Sequence, residues 1–390
     1  MIVIGALLLA AIAVAFTVWW YLVRVPEIVV LKVGAGPYRS DSYELMKEVA
    51  EVVERHGQGV RLEIVATKDS SENISLLNRA KLDVATIRSD TPVVSDIRLI
   101  ASLFPDFFQL IARSDAAISG VSDLIGKRIA IPPYGTDEFR SFWVIGDHYD
   151  LPINGMKWEP MELIDAKDQL LTGKVDAIFT VRSLRDRLLL NLYEDATLKK
   201  LELNFIEIDQ ADAIALKRPF VQVANVPRGG FIGAVPTPSR AKKTATVNRV
   251  LVTRSDISEK AVQELTRVLF EHRLDLIIRF ALASAILKPE SGVGISAPLH
   301  PGAEAYFNRD QPSFIQENAE PIALVITVFA MMFSGLLALR KRLGNTQKNR
   351  MDSYNYMLLD IAEGARASNN KTEIMQLKEQ MFRILETVVK

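Results

Sequence analysis

Ile28-Val29-Val30-Leu31-Lys32-Val33-Gly34-Ala35-Gly36, with the residues that follow it to Ile87, is the stretch on which the fold turns. It reads as an apolar strand, a glycine-containing turn, and a helix whose Leu45, Val49, Val52 and Val53 recur on one face. Asp41 with Glu44 three residues on predicts the N-terminal cap of that helix. Val60 to Val65 alternates as a strand, Ser70 or Ser71 caps a helix carrying Ile74 and Leu77, and Asp83 to Ile87 is a third strand. Strand, helix, strand, helix, strand is the pattern of a right-handed parallel sheet.

Further along, Arg98 to Ser102 and Phe107 to Ala112 are predicted strands, and a second unit of the same rhythm starts near Ile118. Its strands are Arg128 to Ile131, Val175 to Val181 and Leu201 to Ile208, separated by helices through Trp143 and Ile145, Ala166 to Leu171, and Ser183 to Leu192. From Ala245 the pattern of the first unit returns, with a strand Asn248 to Val252 and a helix capped by Ser258 and carrying Leu265, Val268 and Leu269. The middle unit is thus predicted to be inserted into the first. Lobe 1 comprises residues 26–114 and 237–318, and lobe 2 comprises residues 115–236.

Two apolar stretches flank this body. Ile2 to Val23 carries no charge, ends in Trp19, Trp20 and Tyr21, and is long enough to cross a bilayer. Residues 1–25 are expected to be an uncleaved anchor, because the start lacks the Lys/Arg region of a signal peptide and no small-residue cleavage site precedes Val25-Pro26. Pro321 to Leu339 is followed by Arg340-Lys341-Arg342, Lys348 and Arg350 without an acid, which places that side in the cytoplasm. Residues 319–340 are the second predicted membrane helix and residues 341–390 a basic linker and tail. Two spans contacting lipid put both termini inside and the body in the periplasm. In the tail, Tyr354, Leu358 and Ile361, then Ile374, Leu377, Met381 and Ile384, predict two amphipathic helices broken at Ser368-Asn369-Asn370.

Composition narrows the function. The chain has 390 residues with 49% hydrophobic and 24% charged, so it is globular. Its 47 basic and 47 acidic residues argue against nucleic acid as a partner. With no cysteine, disulfides, thiolate metal sites and thiol nucleophiles are excluded. His56, His148, His272 and His300 are dispersed with no metal-ligand spacing, and no hydrolase elbow, phosphate loop or metalloprotease helix occurs. No cofactor is expected, and no enzyme activity.

Three motifs in order carry a resemblance: Ile100-Ala101-Ser102-Leu103-Phe104-Pro105, Val121 through Ala130 (Val-Ser-Asp-Leu-Ile-Gly-Lys-Arg-Ile-Ala), and Pro298-Leu299-His300-Pro301-Gly302-Ala303. Leu170-Leu171-Thr172-Gly173-Lys174-Val175-Asp176-Ala177-Ile178-Phe179 adds a fourth stretch. Together they resemble the TAXI-type solute-binding proteins of TRAP transporters over about residues 28 to 310. The resemblance implies an α/β, two-lobed, hinge-closing fold, periplasmic-binding-protein type II-like and NMT1-like, with the membrane helices and helical tail as additions. It also implies a small organic anion, a carboxylate or amino acid, as ligand and a TRAP-type membrane permease as partner. The chain departs from the family at Gly34 to Ser40, where only Gly36 and Tyr38 carry over, at the Pro133-Tyr134-Gly135-Thr136 turn, and at Arg182, which replaces a small residue.

In an open parallel sheet ligands sit in the crevice beyond the carboxyl ends of the strands, and helix N-termini there favour anions. Gly34 to Ser42, Ser89 to Thr91 and Pro132 to Asp137 are the turns so placed. The candidate ligand-binding residues are Gly36, Tyr38, Arg39, Ser40, Arg88, Ser89, Tyr134, Gly135, Thr136 and Arg182. Arg39, Arg88 and Arg182 stand near predicted strand ends, where a guanidinium can grip a carboxylate in two places. Two function classes fit: a tethered receptor delivering its solute to a permease, and a sensor or scaffold acting through a cytoplasmic protein partner of its tail.

Overall fold

The computed structural model describes residues 28–290, 297–312, 314–368 and 370–389. They fall into two compact units divided between Arg309 and Asp310. The predicted anchor, residues 1–25, lies outside the described residues.

In the first unit β1 (Val29–Gly34), α1 (Asp41–His56), β2 (Val60–Val65), α2 (Ser70–Asn78) and β3 (Val84–Arg88) form the predicted βαβαβ unit, with β1 parallel to both β2 and β3. The two strands predicted next are a single 17-residue strand, β4 (Ile97–Arg113), that runs straight past Pro105. Then come β5 (Arg128–Ile131), α3 (Asp137–His148), β6 (Lys157–Pro160), α4 (Leu163–Leu171), β7 (Ala177–Arg182), α5 (Arg187–Leu198), β8 (Leu203–Ile206), α6 (Ala211–Lys217) and β9 (Gln222–Val226). The 13-residue β10 (Lys242–Arg254), α7 (Glu259–Glu271), α8 (Arg273–Arg279) and α9 (Pro301–Phe307) complete the unit.

The strands join in the order β2-β1-β3-β10-β4-β7-β5-β6, with β8 on β4 and β9 on β10. β4 and β10 are an antiparallel pair that passes through both lobes. Along one edge β10 meets β3 at Arg249 to Thr253 and β9 at Lys242 to Thr246, so its partner changes around Asn248. This is the two-lobed α/β architecture of periplasmic binding proteins, with one curled sheet in place of two separate ones. Each lobe keeps its own apolar layers. In lobe 1, Leu31, Val33 and Leu103 pack with Leu45 and Val49 of α1 and with Val262 and Leu265 of α7. In lobe 2, Ile129, Ile131 and Phe179 pack with Phe142 and Ile145 of α3, and Ile178 packs with Leu170, Leu189 and Leu192. A fully buried side chain of this size contributes about 1.5–3 kcal/mol, so each layer can sustain its lobe.

Two caps differ from the sequence pattern. Ser40, not Asp41, caps α1, its Oγ accepting from the Tyr43 N–H at 3.3 Å. Asp69, rather than Ser70 or Ser71, caps α2 through the Glu72 N–H at 2.8 Å. In both cases the residue read as the cap is used across the lobes, as described below. The Pro298 to Ala303 motif also has a local cause. His300 is fully buried, and its Nδ1 accepts from the Gly302 N–H at 3.1 Å to start α9. At Gly302 a Cβ would lie 2.2 Å from the Glu259 carbonyl oxygen and 2.9 Å from the Gln263 nitrogen, both backbone atoms of α7. Gly302→Ala is therefore expected to cost about 1–3 kcal/mol by overpacking. A lowered thermal midpoint of the purified chain would register it, and an unchanged midpoint would show that α9 can shift freely.

In the second unit a short helix α10 (Phe314–Glu317) precedes α11 (Ala319–Ala367), a continuous helix of 49 residues, and α12 (Lys371–Val389). Within α11, Ala319–Arg340 is, among the described residues, the one helix long and apolar enough to cross a membrane. The first predicted tail helix is the continuation of that segment rather than a separate element. The break comes where the sequence placed it, and α12 folds back so that Leu377 approaches Gly364. Among the described tail residues of the pair, Tyr354, Leu358, Ile361, Gly364 and Ala365 are half-buried on one helix and Leu377, Met381 and Ile384 on the other.

Candidate functional site

Elements of both lobes meet around a cavity of about 130 Å³. Lobe 1 contributes Lys68, Asp69 and Ser70 at the start of α2, Arg88 at the end of β3, and Arg249 from β10. Lobe 2 contributes the β5–α3 turn from Ile131 to Glu138, the start of α4, and Thr180 and Arg182 at the end of β7. Charged and polar side chains from strand ends and helix N-termini share the walls with apolar ones such as Ile131, Met161, Leu163 and Phe179.

The charged groups are arranged as interlocking pairs. Arg88, whose side chain is 2% exposed, holds Asp90 through Nε at 3.0 Å and a second contact from Nη2. Nη2 also donates to Ser141 Oγ, which in turn donates to Asp90 at 2.9 Å. Arg249 Nη2 donates to Asp106 at 2.6 Å. Arg182 Nη1 donates to Asp186 at 3.1 Å and its Nη2 lies 3.5 Å from Glu138. Glu138 also accepts from Thr180 Oγ1 at 2.9 Å and from the Val181 N–H at 3.2 Å. Asp137 accepts from Arg140 and from Ser71 Oγ, the latter at 3.1 Å.

These pairs leave specific groups over. Arg88 Nη1, Arg182 Nε and Arg249 Nε are buried with no hydrogen-bond partner among the described residues. A buried N–H without a partner is costly and calls for an acceptor. The carboxylates nearby tilt the titration of their neighbours. Burial works to lower the Arg88 and Arg182 pKa values, but the surrounding Asp and Glu charges hold both above the ordinary arginine range. Burial raises Asp106 against the pull of Arg249 and Arg88. Burial pushes Asp41 up to about 6, helped by Asp186 and Asp106 and opposed by its hydrogen bond from Ser183 and by Arg182.

Contacts that cross the lobes directly include Ser183 Oγ donating to Asp41, Ser71 Oγ to Asp137, Arg88 to Ser141, and Ser141 Oγ to Asp90. Asp41 and Ser71 are thus drawn away from helix capping by partners more than sixty residues distant. Ser70 Oγ likewise accepts from the Arg88 N–H at 3.1 Å instead of capping α2.

Of the residues singled out in the sequence, Arg88, Thr136 and Arg182 line the cavity. Thr136 caps α3 there, accepting from the Phe139 N–H at 3.2 Å. Gly36, Tyr38, Arg39, Ser40, Ser89, Tyr134 and Gly135 do not line it. Arg39 is exposed and lies over the exposed ring of Tyr38, with 5.4 Å to the centroid. Tyr134 is exposed beside Phe139 and Trp158. Ser40 caps α1, and Gly36, with φ of 86°, donates its N–H to Thr67 Oγ1 at 3.0 Å. Ser89 ties β3 to β10, accepting from the Asn248 N–H at 3.1 Å and donating to the Phe220 carbonyl. The Ser89 to Thr91 turn leads into β4, not into a helix.

Arg249 and Glu138 have no counterpart among the sequence candidates. A signal for Arg249 existed, since β4 and β10 are otherwise buried strands and each carries a charge near its middle, Asp106 and Arg249. Opposite charges in two such strands ask for each other. Glu138 is an acid in the first turn of α3, a position that favours negative charge with or without a site beside it.

Solved structures of similar shape include XAC2383 from Xanthomonas citri bound to ATP, at 14% identity and a TM-score of 0.44, covering 72% of this chain and 94% of that one. The periplasmic aliphatic sulphonate binding protein SsuA from Escherichia coli matches at 13% identity and a TM-score of 0.41, covering 72% and 78%. An ancestral arginine-binding protein bound to arginine matches at 14% identity and a TM-score of 0.41, covering 64% and 97%. The sequence profile of the NMT1-like family matches residues 33–309, which hold both lobes and the cleft, and the chain belongs to that family.

Proposed function

We propose that the chain is a membrane-tethered, extracytoplasmic solute-binding protein whose lobes close on a small organic anion, a carboxylate or an amino acid. The observation that carries this reading is the set of three buried guanidinium N–H groups, on Arg88, Arg182 and Arg249, left without acceptors around one small cavity. A carboxylate supplies the acceptors that they lack. The lining carries as many acids (Asp69, Asp137, Glu138, Glu162) as bases (Lys68, Arg88, Arg182, Arg249), which favours a carboxylate that also carries an amine over a multiply charged anion. Closure follows from the anion binding groups of both lobes at once.

The motifs shared with TAXI-type proteins support a TRAP-type permease as the receiver of the solute. The tether is supported by Ala319–Arg340 and the basic residues after it. One feature favours sensing as a second reading: α11 continues unbroken from its apolar segment into the tail, which a delivery protein does not need.

A thermal-shift screen of small organic anions on the purified chain tests the first reading. Against any carboxylate found, Arg182→Ala is expected to weaken affinity by about 1.5–3 kcal/mol, the loss of a hydrogen bond from a charged donor. Unchanged affinity would remove Arg182 from the site.

A further inference from the structure

The sequence spacing of the histidines gives no metal-ligand pair, yet the fold brings two of them together away from the cleft. His56 is the last residue of α1, and His272 caps the C-terminus of α7 and opens α8. Asp275 follows in the first turn of α8. A nitrogen from each imidazole and a carboxylate oxygen of Asp275 lie within 4.8 Å of one another, and His56 Nε2 is 3.1 Å from Asp275 Oδ2. All three side chains are half-buried, held in place but reachable from solvent. None of them lines the cleft.

We propose that His56, His272 and Asp275 form a binding site for a divalent transition metal of the zinc class. Three features converge on it. The rings of His56 and His272 stack at 3.9 Å between centroids and 14° between planes, which holds the two imidazoles side by side. The C-termini of α1, 16 residues long, and of α7, 13 residues long, both end here, and the negative ends of their dipoles favour a cation. The neighbouring Arg267 does not oppose this, since Glu264 at 2.7 Å and Glu271 at 3.2 Å neutralise it. Two nitrogens and one carboxylate oxygen select Zn²⁺, Ni²⁺ or Cu²⁺ over Mg²⁺ and Ca²⁺, with water completing the coordination shell. Tetrahedral zinc wants donor atoms roughly 3.3 Å apart, so the widest separations close by up to about 1.5 Å as the stacked rings splay.

The test uses the full-length chain in detergent, with any histidine tag removed and metal stripped by EDTA, titrated with Zn²⁺ alone. Saturable one-to-one binding that raises the thermal midpoint is expected, with Mg²⁺ giving neither effect. His272→Ala and His56→Ala should each weaken Zn²⁺ binding at least about tenfold, whereas His148→Ala, at the C-terminal end of α3, should leave it unchanged. Binding that is absent, or that survives both substitutions, overturns the proposal and leaves His56–Asp275 a plain hydrogen bond. Should the variants fail to fold, Co²⁺ bound to the unaltered chain decides: intense visible bands of a four- or five-coordinate site support the proposal, and the faint spectrum of hydrated Co²⁺ refutes it.

Discussion

Arg88→Met is expected to destabilise the folded chain by about 3–5 kcal/mol, the usual cost of leaving a buried charge without its partner. Arg88 is buried to 2% exposure and Asp90 to 6%, so solvent cannot take over when the guanidinium goes. Asp137, Glu138 and Asp106 also feel its charge, and their mutual repulsion rises when it is removed. The contact from Arg88 to Ser141 is one of the links between lobes, so part of the loss falls on the closed arrangement. Chemical unfolding of the variant beside the unaltered chain measures the effect. Arg88→Lys, which keeps the charge but not the planar fork, should fall between the two. A loss below about 1 kcal/mol for the methionine variant would mean that water reaches Asp90.

The second large effect is one of pH. Asp41 has its pKa raised from 3.8 to about 6 in the folded chain. Between those values the folded state binds more protons than the unfolded state, so this group's contribution is fully present below pH 3.8 and is lost as pH rises through about 6. A shift of that size corresponds to about 3 kcal/mol. Asp41→Asn keeps the acceptor for Ser183 and removes the charge, so the variant should gain about 3 kcal/mol over the unaltered chain at pH 7.5 and nothing near pH 3.5. Stability curves for the two proteins across that range are the measurement. Parallel curves would show that Asp41 is hydrated and already ionised at the lower end.

The sequence made the local architecture legible and hid the long-range charge pairing. Val60 to Val65 and Arg128 to Ile131 are found as read, because alternation and short apolar runs are properties of the strand itself. β4 was read as two strands because Pro105 and Asp106 interrupt the apolar run, and only the pairing with β10 across both lobes carries the strand through. The misassigned caps have a tertiary cause. Asp41 and Ser70 have the chemistry of caps, but Ser183 and the Arg88 N–H recruit them. Arg39 looked equivalent to Arg88 and Arg182, since strand-end position was the only criterion. Burial among carboxylates distinguishes them, and those come from α3, from Asp106 on β4, from Asp90 after β3 and from Asp186 before α5. His56 and His272 show the same limit, as their helices meet only in the folded chain.

The central claim is that the guanidiniums of both lobes hold a small anion between them. Calorimetric titration of the purified full-length chain with a matched panel of small carboxylates, amino acids and organic cations tests it most directly, repeated with Arg249→Gln. The account predicts one-to-one binding confined to ligands carrying a carboxylate, weakened at least about tenfold by the substitution. A tightest ligand that is a plain cation, or a carboxylate bound equally well by Arg249→Gln and Arg182→Ala, would contradict it.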